Sequence, residues 1–148
     1  MNNSYNVKNY PKHLIPKPVI NMYVKHERMK KCIYVVEDNP CIREIIEFML
    51  TEDLYEVIAC PDTRYFWQQM KQHLPDMIIL DIMLPDGNGL DICNELKQNA
   101  KTYNIPVMMM SANNHLNAVK AKCNAETFIN KPFDLNDFAN RVEQYAPN

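Results

Sequence analysis

The sequence predicts an α/β fold, with one doubly wound sheet of five parallel strands and helices on both faces. Its 148 residues suffice for one ordinary domain, and hydrophobic residues, at 47%, are numerous enough to bury a core. From Cys32 onward, short apolar runs alternate with amphipathic segments five times. Five βα units in succession indicate a parallel sheet covered on both faces, and right-handed crossovers favour the doubly wound arrangement.

The first βα unit has the clearest signals. Residues 32–36 are short and rich in β-branched and aromatic side chains, which is typical of a buried strand. Asn39 can cap the next helix, and Pro40 suits its first position. Apolar positions recur at helical spacing, so we expect one buried face made of Ile42, Ile45, Ile46, Met49 and Leu50.

The second and third units follow the same plan. The second has a strand at residues 55–59 and a helix at residues 62–74, with inward side chains from Phe66, Met70 and Leu74. The third begins with the fully apolar strand 77–80. A loop that contains Gly87 and Gly89 then leads into a helix that buries Leu90, Cys93 and Leu96. We expect these glycines to permit backbone geometry that side chains restrict.

The last two units complete the sheet. The fourth strand is predicted at residues 107–110, before a shorter helix with inward side chains from Leu116, Val119 and Cys123. The fifth strand is predicted at residues 127–129. Asp134 can cap the last helix, with Asp137 three residues later. That helix is expected to bury Leu135, Phe138 and Val142.

The first 31 residues differ from the rest in charge and pattern. They hold seven Lys or Arg and one Glu, whereas residues 32–148 hold nine Lys or Arg and seventeen Asp or Glu. They show no sustained period of 3.6 or 2 residues. We therefore expect residues 1–31 to be a flexible basic extension and residues 32–148 to be the folded domain. Contact of the extension with nucleic acid or an anionic membrane is the alternative.

Composition excludes several classes of protein. Two glycines in the whole chain are too few for a glycine-rich nucleotide-binding loop. The five cysteines include no C-x-x-C pair, which argues against a zinc site or a disulfide framework. The chain has no start of signal-peptide type and no apolar run of 18 residues. We therefore expect a cytoplasmic protein without a membrane span.

Chemically useful side chains follow four of the five predicted strands. They are Glu37 and Asp38 after the first, Asp81 after the third, Ser111 and Ala112 after the fourth, and Lys131 and Pro132 after the fifth. Ligand sites of doubly wound sheets lie at the carboxyl ends of the strands, so we expect these groups to converge. Three carboxylates brought together repel one another unless a cation lies among them. Oxygen ligands suit Mg²⁺, which can also bridge to phosphate.

In this order and near this spacing, the chain from Cys32 to about Tyr145 resembles a receiver domain of a two-component response regulator. The residues that carry the resemblance are the pair Glu37-Asp38, the run DIMLPDGNG at residues 81–89, the pair Ser111-Ala112 and the triplet Lys131-Pro132-Phe133. The resemblance implies a chemotaxis-type, flavodoxin-like single domain with strand order 2-1-3-4-5. It also implies that a histidine kinase or a histidine phosphotransfer protein donates a phosphoryl group to an aspartate.

The resemblance implies a role for each residue at the predicted edge. Asp81 would be the phosphoacceptor and would form an acyl phosphate. Its Mg²⁺ ligands would be Asp38 directly, Glu37 through water, the Asp81 carboxylate and the backbone carbonyl of Met83. Phosphoryl oxygens would be bound by Lys131, Ser111 and the backbone amide of Ala112.

The resemblance also implies a switch. Ser111 would move toward the phosphoryl group, and Phe128 would turn into the vacated space. The surface formed by the fourth helix, fifth strand and fifth helix would change as a result. The stretch from Ser111 to Lys131 is slightly shorter than in most receivers, which predicts a trimmed fourth helix. Leu54 and Asn124 stand where receivers often have glycine, and asparagine tolerates a positive φ.

The leading hypothesis is a stand-alone receiver that signals to a downstream protein target or relays phosphoryl groups, without a DNA-binding output domain. It would not be an enzyme with an external substrate. A pseudo-receiver or adaptor that binds partners without phosphorylation is the alternative. A third option is an aspartate-nucleophile phosphatase. Those enzymes usually carry a second aspartate two residues after the nucleophile, where this chain has Met83.

Overall fold

The computed structural model describes residues 30–112 and 116–148 of the chain. In order, the elements are β1 (Cys32–Val36), α1 (Pro40–Glu52), β2 (Glu56–Cys60), α2 (Thr63–Met70), β3 (Met77–Asp81), β4 (Met83–Leu84), β5 (Gly87–Asn88), α3 (Gly89–Gln98), β6 (Val107–Ser111), α4 (Leu116–Lys120), β7 (Thr127–Asn130) and α5 (Leu135–Tyr145). The predictions for residues 1–29 and for the side chain of Leu116 lie outside the described residues. Within the described ranges, no helix has the length and hydrophobicity needed to cross a bilayer.

Five strands form the main sheet, in the order β2-β1-β3-β6-β7. Every pair of neighbours is parallel. β4 and β5 form a separate two-stranded antiparallel hairpin in the loop after β3. When this hairpin is set aside, the order is the predicted 2-1-3-4-5, and the flavodoxin-like fold is confirmed.

The sheet has a core on each face. One core combines alternate strand residues such as Ile33 and Ile79 with Ile46 of α1 and Phe138 of α5. The other contains Tyr34, Val36 and Leu80 together with Phe66 of α2 and Leu96 of α3. The strands β1, β3 and β6 are buried along their whole lengths. Helices therefore cover both faces of the sheet, and the parallel strands place their carboxyl ends at one edge.

Most of the predicted capping residues act as expected. The Asn39 side chain accepts hydrogen bonds from the N–H groups of Cys41 and Ile42 at the start of α1. Asp134 accepts from Asn136 and Asp137 at the start of α5. Asp137 itself pairs with Arg141 one turn later. These caps satisfy N–H groups that have no partner inside the helix.

Three of the predicted inward side chains are exposed. α2 ends at Met70, so Leu74 lies beyond the helix and is 41% exposed. Ile45 is 51% exposed because it lies on the flank of α1, about 100° around the helix from buried Ile46. Leu135 is 48% exposed because it is the first residue of α5, at the rim of the sheet. The strand predicted to start at Tyr55 starts one residue later.

The turn between α1 and β2 contains a strained residue. Among the described residues, Leu54 is the only non-glycine residue with a positive φ, at 68°. Asn124, which could also have adopted a positive φ, does not. A leucine in the left-handed region places its Cβ too close to the neighbouring carbonyl oxygen. The Leu54 side chain is 63% exposed, so packing offsets little of this cost.

Replacing Leu54 with asparagine is expected to raise the free energy of unfolding by about 1 kcal/mol, because asparagine tolerates the left-handed region. Urea unfolding followed by circular dichroism measures the difference. Leu74→Asn is the matched control, since Leu74 is exposed and has an ordinary φ. A loss of stability in Leu54→Asn would contradict the strain at this turn.

Candidate functional site

The carboxyl ends of β1, β3 and β7 bring three charged groups into contact. The Lys131 Nζ lies 2.9 Å from Glu37 Oε2 and 2.5 Å from Asp81 Oδ2. Glu37 is 0% exposed and Asp81 is 3% exposed, whereas Lys131 is partly buried. In the chain, Lys131 is 94 positions from Glu37 and 50 positions from Asp81. The order of the strands in the sheet brings these residues together.

Each buried carboxylate uses both of its oxygens. Besides Lys131, Glu37 accepts a hydrogen bond from the Asn39 N–H at Oε1, 3.0 Å away. Asp81 accepts one from the Met83 N–H at Oδ1, 3.2 Å away. Hydrogen bonds of this kind stabilise the charged form of a carboxylate. The loops after β1 and β3 therefore help to hold the two buried acids in place.

Burial and pairing act against each other in this cluster. Burial raises the pKa of Glu37 above its ordinary value, although hydrogen bonds from Lys131 and Asn39 oppose the shift. Burial tends to lower the pKa of Lys131, but its hydrogen bonds to Asp81 and Glu37 outweigh this effect and leave that pKa raised. Lys131 therefore stays charged at neutral pH and supplies the positive charge that the two buried acids need.

A third carboxylate stands beside the pair. Glu37, Asp38 and Asp81 each offer an oxygen, and these oxygens lie within 4.8 Å of one another. Asp38 is exposed, in contrast to the other two. Three hard oxygen donors, one of them open to solvent, fit a hydrated Mg²⁺ that keeps several of its waters. The group predicted from the sequence to hold a metal ion is therefore assembled.

Ser111 and Lys131 are joined through the backbone. Ser111 is buried at the end of β6, and its carbonyl accepts a hydrogen bond from the Lys131 N–H at 2.7 Å. Ala112 follows at an exposed position.

Met83 exposes 72% of its surface, although its N–H contacts Asp81. Phe128 is half-buried on β7, and the Lys120 Nζ lies 5.8 Å from the centroid of its ring.

The sequence did not identify Arg43 as part of this region. Its Nη1 donates to the Glu37 carbonyl at 2.7 Å and to the Asp38 carbonyl at 3.0 Å. This arginine, in the first turn of α1, therefore fixes the loop that carries two of the three acids. An arginine six residues after a strand-end acid is a weak signal, because surface arginines are common on helices.

Gly89 is required by close approach of the backbone. A Cβ atom at this position would lie 2.0 Å from the Asp81 carbonyl oxygen. The Gly89 N–H also donates to the Ile82 carbonyl at 2.8 Å. Neither Gly87 nor Gly89 has a positive φ. The prediction that these glycines are needed for a backbone conformation that side chains restrict is therefore wrong. The hairpin must instead pass directly over the backbone of Asp81, and only a residue without a side chain fits there.

Asp86 ties the same hairpin to α2. Its carboxylate accepts hydrogen bonds from the Thr63 N–H at 2.9 Å and the Arg64 N–H at 3.1 Å. These bonds lower the pKa of Asp86. The loop after Asp81 is therefore held from both sides, by Gly89 against β3 and by Asp86 against α2.

An apolar groove of about 190 Å³ adjoins the charged cluster. Its lining residues are Ile42, Ile45, Lys131, Pro132, Phe133 and Leu135. Lys131 belongs to both the groove and the ion-paired cluster. Two exposed apolar side chains of the groove, Ile45 and Leu135, thus lie on the rim of the candidate site.

The chain is similar in sequence to known proteins over most of its length. The chain is 34% identical over 117 residues to the phosphate regulon transcriptional regulatory protein PhoB of Klebsiella pneumoniae, and the match covers 78% of this chain and 51% of PhoB. It is 28% identical over 124 residues to "Histidine kinase P4" of Formosa agariphila, which covers 82% of this chain and 9% of that protein. The chain thus spans about half of one relative and a small part of the other.

A solved structure shows the same architecture. The signal receiver domain of a signal transduction histidine kinase from Syntrophus aciditrophicus superposes with a TM-score of 0.72 at 26% identity. The superposition covers 78% of this chain and 89% of that one. The sequence model of the response regulator receiver domain matches residues 33–143. This range includes all residues of the five strands of the main sheet except Cys32. The chain therefore belongs to the response regulator receiver domain family of two-component signalling.

Proposed function

We propose that this receiver accepts a phosphoryl group on Asp81 from a phosphohistidine protein, with Mg²⁺ bound, and signals through the resulting change of surface. One observation carries the proposal: buried Asp81 contacts Lys131 at 2.5 Å inside a cluster of three carboxylates. In this role the protein has no external substrate. After incubation with a small-molecule phosphodonor and Mg²⁺, the intact mass is expected to rise by one phosphoryl group. An unchanged mass would favour a pseudo-receiver.

Asp81 is the nucleophile in the proposed transfer. One oxygen of its carboxylate attacks phosphorus, the bond from phosphorus to the histidine nitrogen breaks, and the nitrogen keeps the electron pair. The product is an acyl phosphate on Asp81. Asp38, Asp81 and the Met83 carbonyl would hold Mg²⁺ directly and Glu37 would hold it through water, and the ion would supply positive charge that offsets the charge of the transferred group.

Lys131 performs two tasks in this proposal. Before transfer it pairs with Asp81, and after transfer its ammonium binds a phosphoryl oxygen. The 2.9 Å contact with Glu37 keeps the ammonium in place while its partner changes. Ser111 and the backbone amide of Ala112 bind another phosphoryl oxygen from the end of β6. This arrangement compensates the added negative charge without large movements of the sheet.

The switch is proposed to lie between β6 and β7. Ser111 moves toward the phosphoryl group, and Phe128 turns into the space that it leaves. Phe128 is only half-buried, so its ring has room to become more buried. The surface formed by α4, β7 and α5 then changes, and a downstream protein target reads that change.

Mg²⁺ is expected to stabilise the protein, because the ion binds the folded cluster and not the unfolded chain. At a concentration of one hundred times its dissociation constant, the gain in unfolding free energy is about 2.7 kcal/mol. Asp38→Asn should remove most of this gain. Thermal unfolding with and without MgCl₂ measures it.

Asp91→Asn is the matched control, since Asp91 is an exposed acid on α3 outside the cluster. The control should keep the full response to Mg²⁺. An equal response in Asp38→Asn and the wild type would contradict the assignment of Asp38 as a metal ligand.

The phosphodonor protein is proposed to dock on the apolar groove beside Lys131. A donor must bring its phosphohistidine to Asp81, so it must cover the rim where Ile45 and Leu135 are exposed. Ile45→Ala should slow transfer from a kinase or phosphotransfer protein about tenfold, because the contact of one isoleucine side chain is worth about 1.5 kcal/mol or more. Transfer from a small-molecule donor should not change.

Leu74→Ala serves as the control for this docking surface, since Leu74 is a similarly exposed apolar residue outside the groove. Rates of phosphoryl transfer from both kinds of donor are compared for the three proteins. Equal slowing with both donors would place Ile45 in the chemistry or in the fold and not in docking.

A further inference from the structure

Three elements meet at the side chain of Phe128. Its ring, on β7, packs against the core that contains Met109 and Cys123. A groove of about 540 Å³ adjoins the ring, and Lys120 of α4 and Arg141 of α5 also line it. The half-buried ring therefore borders both the core and this groove.

Arg141 holds the backbone of Phe128 in place. Its Nη1 donates to the Phe128 carbonyl at 3.3 Å and to the Thr127 hydroxyl at 3.0 Å. Its Nε donates to Asp137 Oδ2 at 3.0 Å, which orients the guanidinium. On the other side, β7 pairs with β6, where Phe128 lies opposite Met109. Because the backbone is held from both sides, a movement of Phe128 is a rotation of its side chain.

Lys120 contacts that side chain directly. Its Nζ lies 5.8 Å from the centroid of the Phe128 ring, within the range at which an ammonium is attracted to the face of an aromatic ring. Lys120 is exposed at the last position of α4. The contact therefore favours the position in which the ring faces the groove, and a rotation that buries the ring breaks it.

Two carboxylates near the groove are engaged by other cations. Glu126, which lines the groove, accepts hydrogen bonds from the Lys97 Nζ at 2.7 and 2.9 Å. Asp137 pairs with Arg141 one turn later on α5. Neither pairing involves Lys120, whose ammonium contacts the ring instead.

We propose that Lys120 is a positioning residue of the switch, whose ammonium holds the Phe128 ring toward the groove until Asp81 is phosphorylated. This rests on the proposed function, in which Phe128 turns inward after phosphoryl transfer. The contact exists only while the ring faces the groove, so it stabilises the unphosphorylated state and opposes the switch. By linkage, it weakens the binding of a phosphoryl-like group at Asp81 by the same factor.

Binding of beryllofluoride, a stable analogue of the phosphoryl group, tests this role in the full chain. Titration calorimetry in MgCl₂ and fluoride measures its dissociation constant. Lys120→Gln should bind the analogue about two- to fivefold more tightly than the wild type, which is the factor that a cation–π contact at an exposed site contributes. Lys120→Arg keeps a cation and should stay close to the wild type. Because the analogue is an anion, loss of a positive charge acting only at long range would weaken its binding instead.

Lys122→Gln is the matched control, since Lys122 is an exposed lysine outside the groove. It removes the same charge and should not bind the analogue more tightly than the wild type. Phe128→Leu supplies a second control, because leucine has no aromatic ring. In that background, Lys120→Gln should no longer tighten binding, since the contact is already absent.

Equal or weaker binding by Lys120→Gln than by the wild type would overturn the role of Lys120. Tightening that persists in the Phe128→Leu background would overturn it as well, because the effect would not pass through the ring. If none of these proteins binds the analogue, the proposed function fails and the role of Lys120 fails with it.

Discussion

Replacing Asp81 with asparagine is expected to abolish phosphoryl uptake from a small-molecule donor. The amide has nearly the shape of the carboxylate but cannot act as the nucleophile that forms an acyl phosphate. Lys131 keeps its second partner, Glu37, at 2.9 Å, so the cluster loses its acceptor and not its architecture. Intact-mass spectrometry after incubation with donor and Mg²⁺ should show one added phosphoryl group in the wild type and none in Asp81→Asn.

Two comparisons make this result specific. Asp91→Asn, which changes an exposed acid on α3, should be phosphorylated as fully as the wild type. Wild-type protein incubated with the donor and a chelator in place of Mg²⁺ should gain little mass. Undiminished uptake in Asp81→Asn would show that another residue accepts the phosphoryl group.

Gly89→Ala is expected to cost about 3 kcal/mol or more of unfolding free energy, at the upper end of what added atoms cost in a packed interior. The new Cβ would lie 2.0 Å from the Asp81 carbonyl oxygen and 2.9 Å from the Ile82 Cα. Both are backbone atoms, so no side chain can move aside to make room. The hairpin or the end of β3 must shift, and the Asp81 carboxylate shifts with it. Urea unfolding should therefore show a large drop in midpoint, accompanied by slower phosphorylation.

Gly87→Ala is the matched control in the same hairpin. Its Cβ would meet Thr63 Cγ2 at 3.0 Å, which is the end of a side chain that can rotate. We expect a change within about 1 kcal/mol, typical of a mild substitution. Similar losses in the two variants would mean that the hairpin tolerates displacement and that close approach at Gly89 is unimportant.

The architecture could be predicted because local signals and topology rules agree. Asn39 with Pro40 marks a helix start that the structure places at the same residue. The strand predicted at residues 32–36 is β1 with unchanged bounds. Errors arose where periodicity was extended past a real helix end, as at Leu74, or where an apolar residue faced a groove, as at Ile45. The spacing of apolar residues predicts which face of a helix is apolar, but it does not predict what packs against that face.

The convergence of Glu37, Asp38, Asp81 and Lys131 could be predicted because parallel strands end at one edge. The supporting contacts could not. The contact of Arg43 with two backbone carbonyls depends on how α1 leaves β1. The need for glycine at Gly89 depends on the path of the hairpin over Asp81. Such contacts are set by three-dimensional distances that no spacing along the chain encodes.

Mapping the phosphoryl group in the wild-type chain tests the central claim most directly. After treatment with a small-molecule phosphodonor and Mg²⁺, the protein is digested at once and its peptides are sequenced by tandem mass spectrometry. The proposed function predicts a single modified residue, Asp81, and loss of the modification when Mg²⁺ is omitted. A phosphoryl group on any other residue, or none at all under conditions in which Mg²⁺ stabilises the protein, would contradict it.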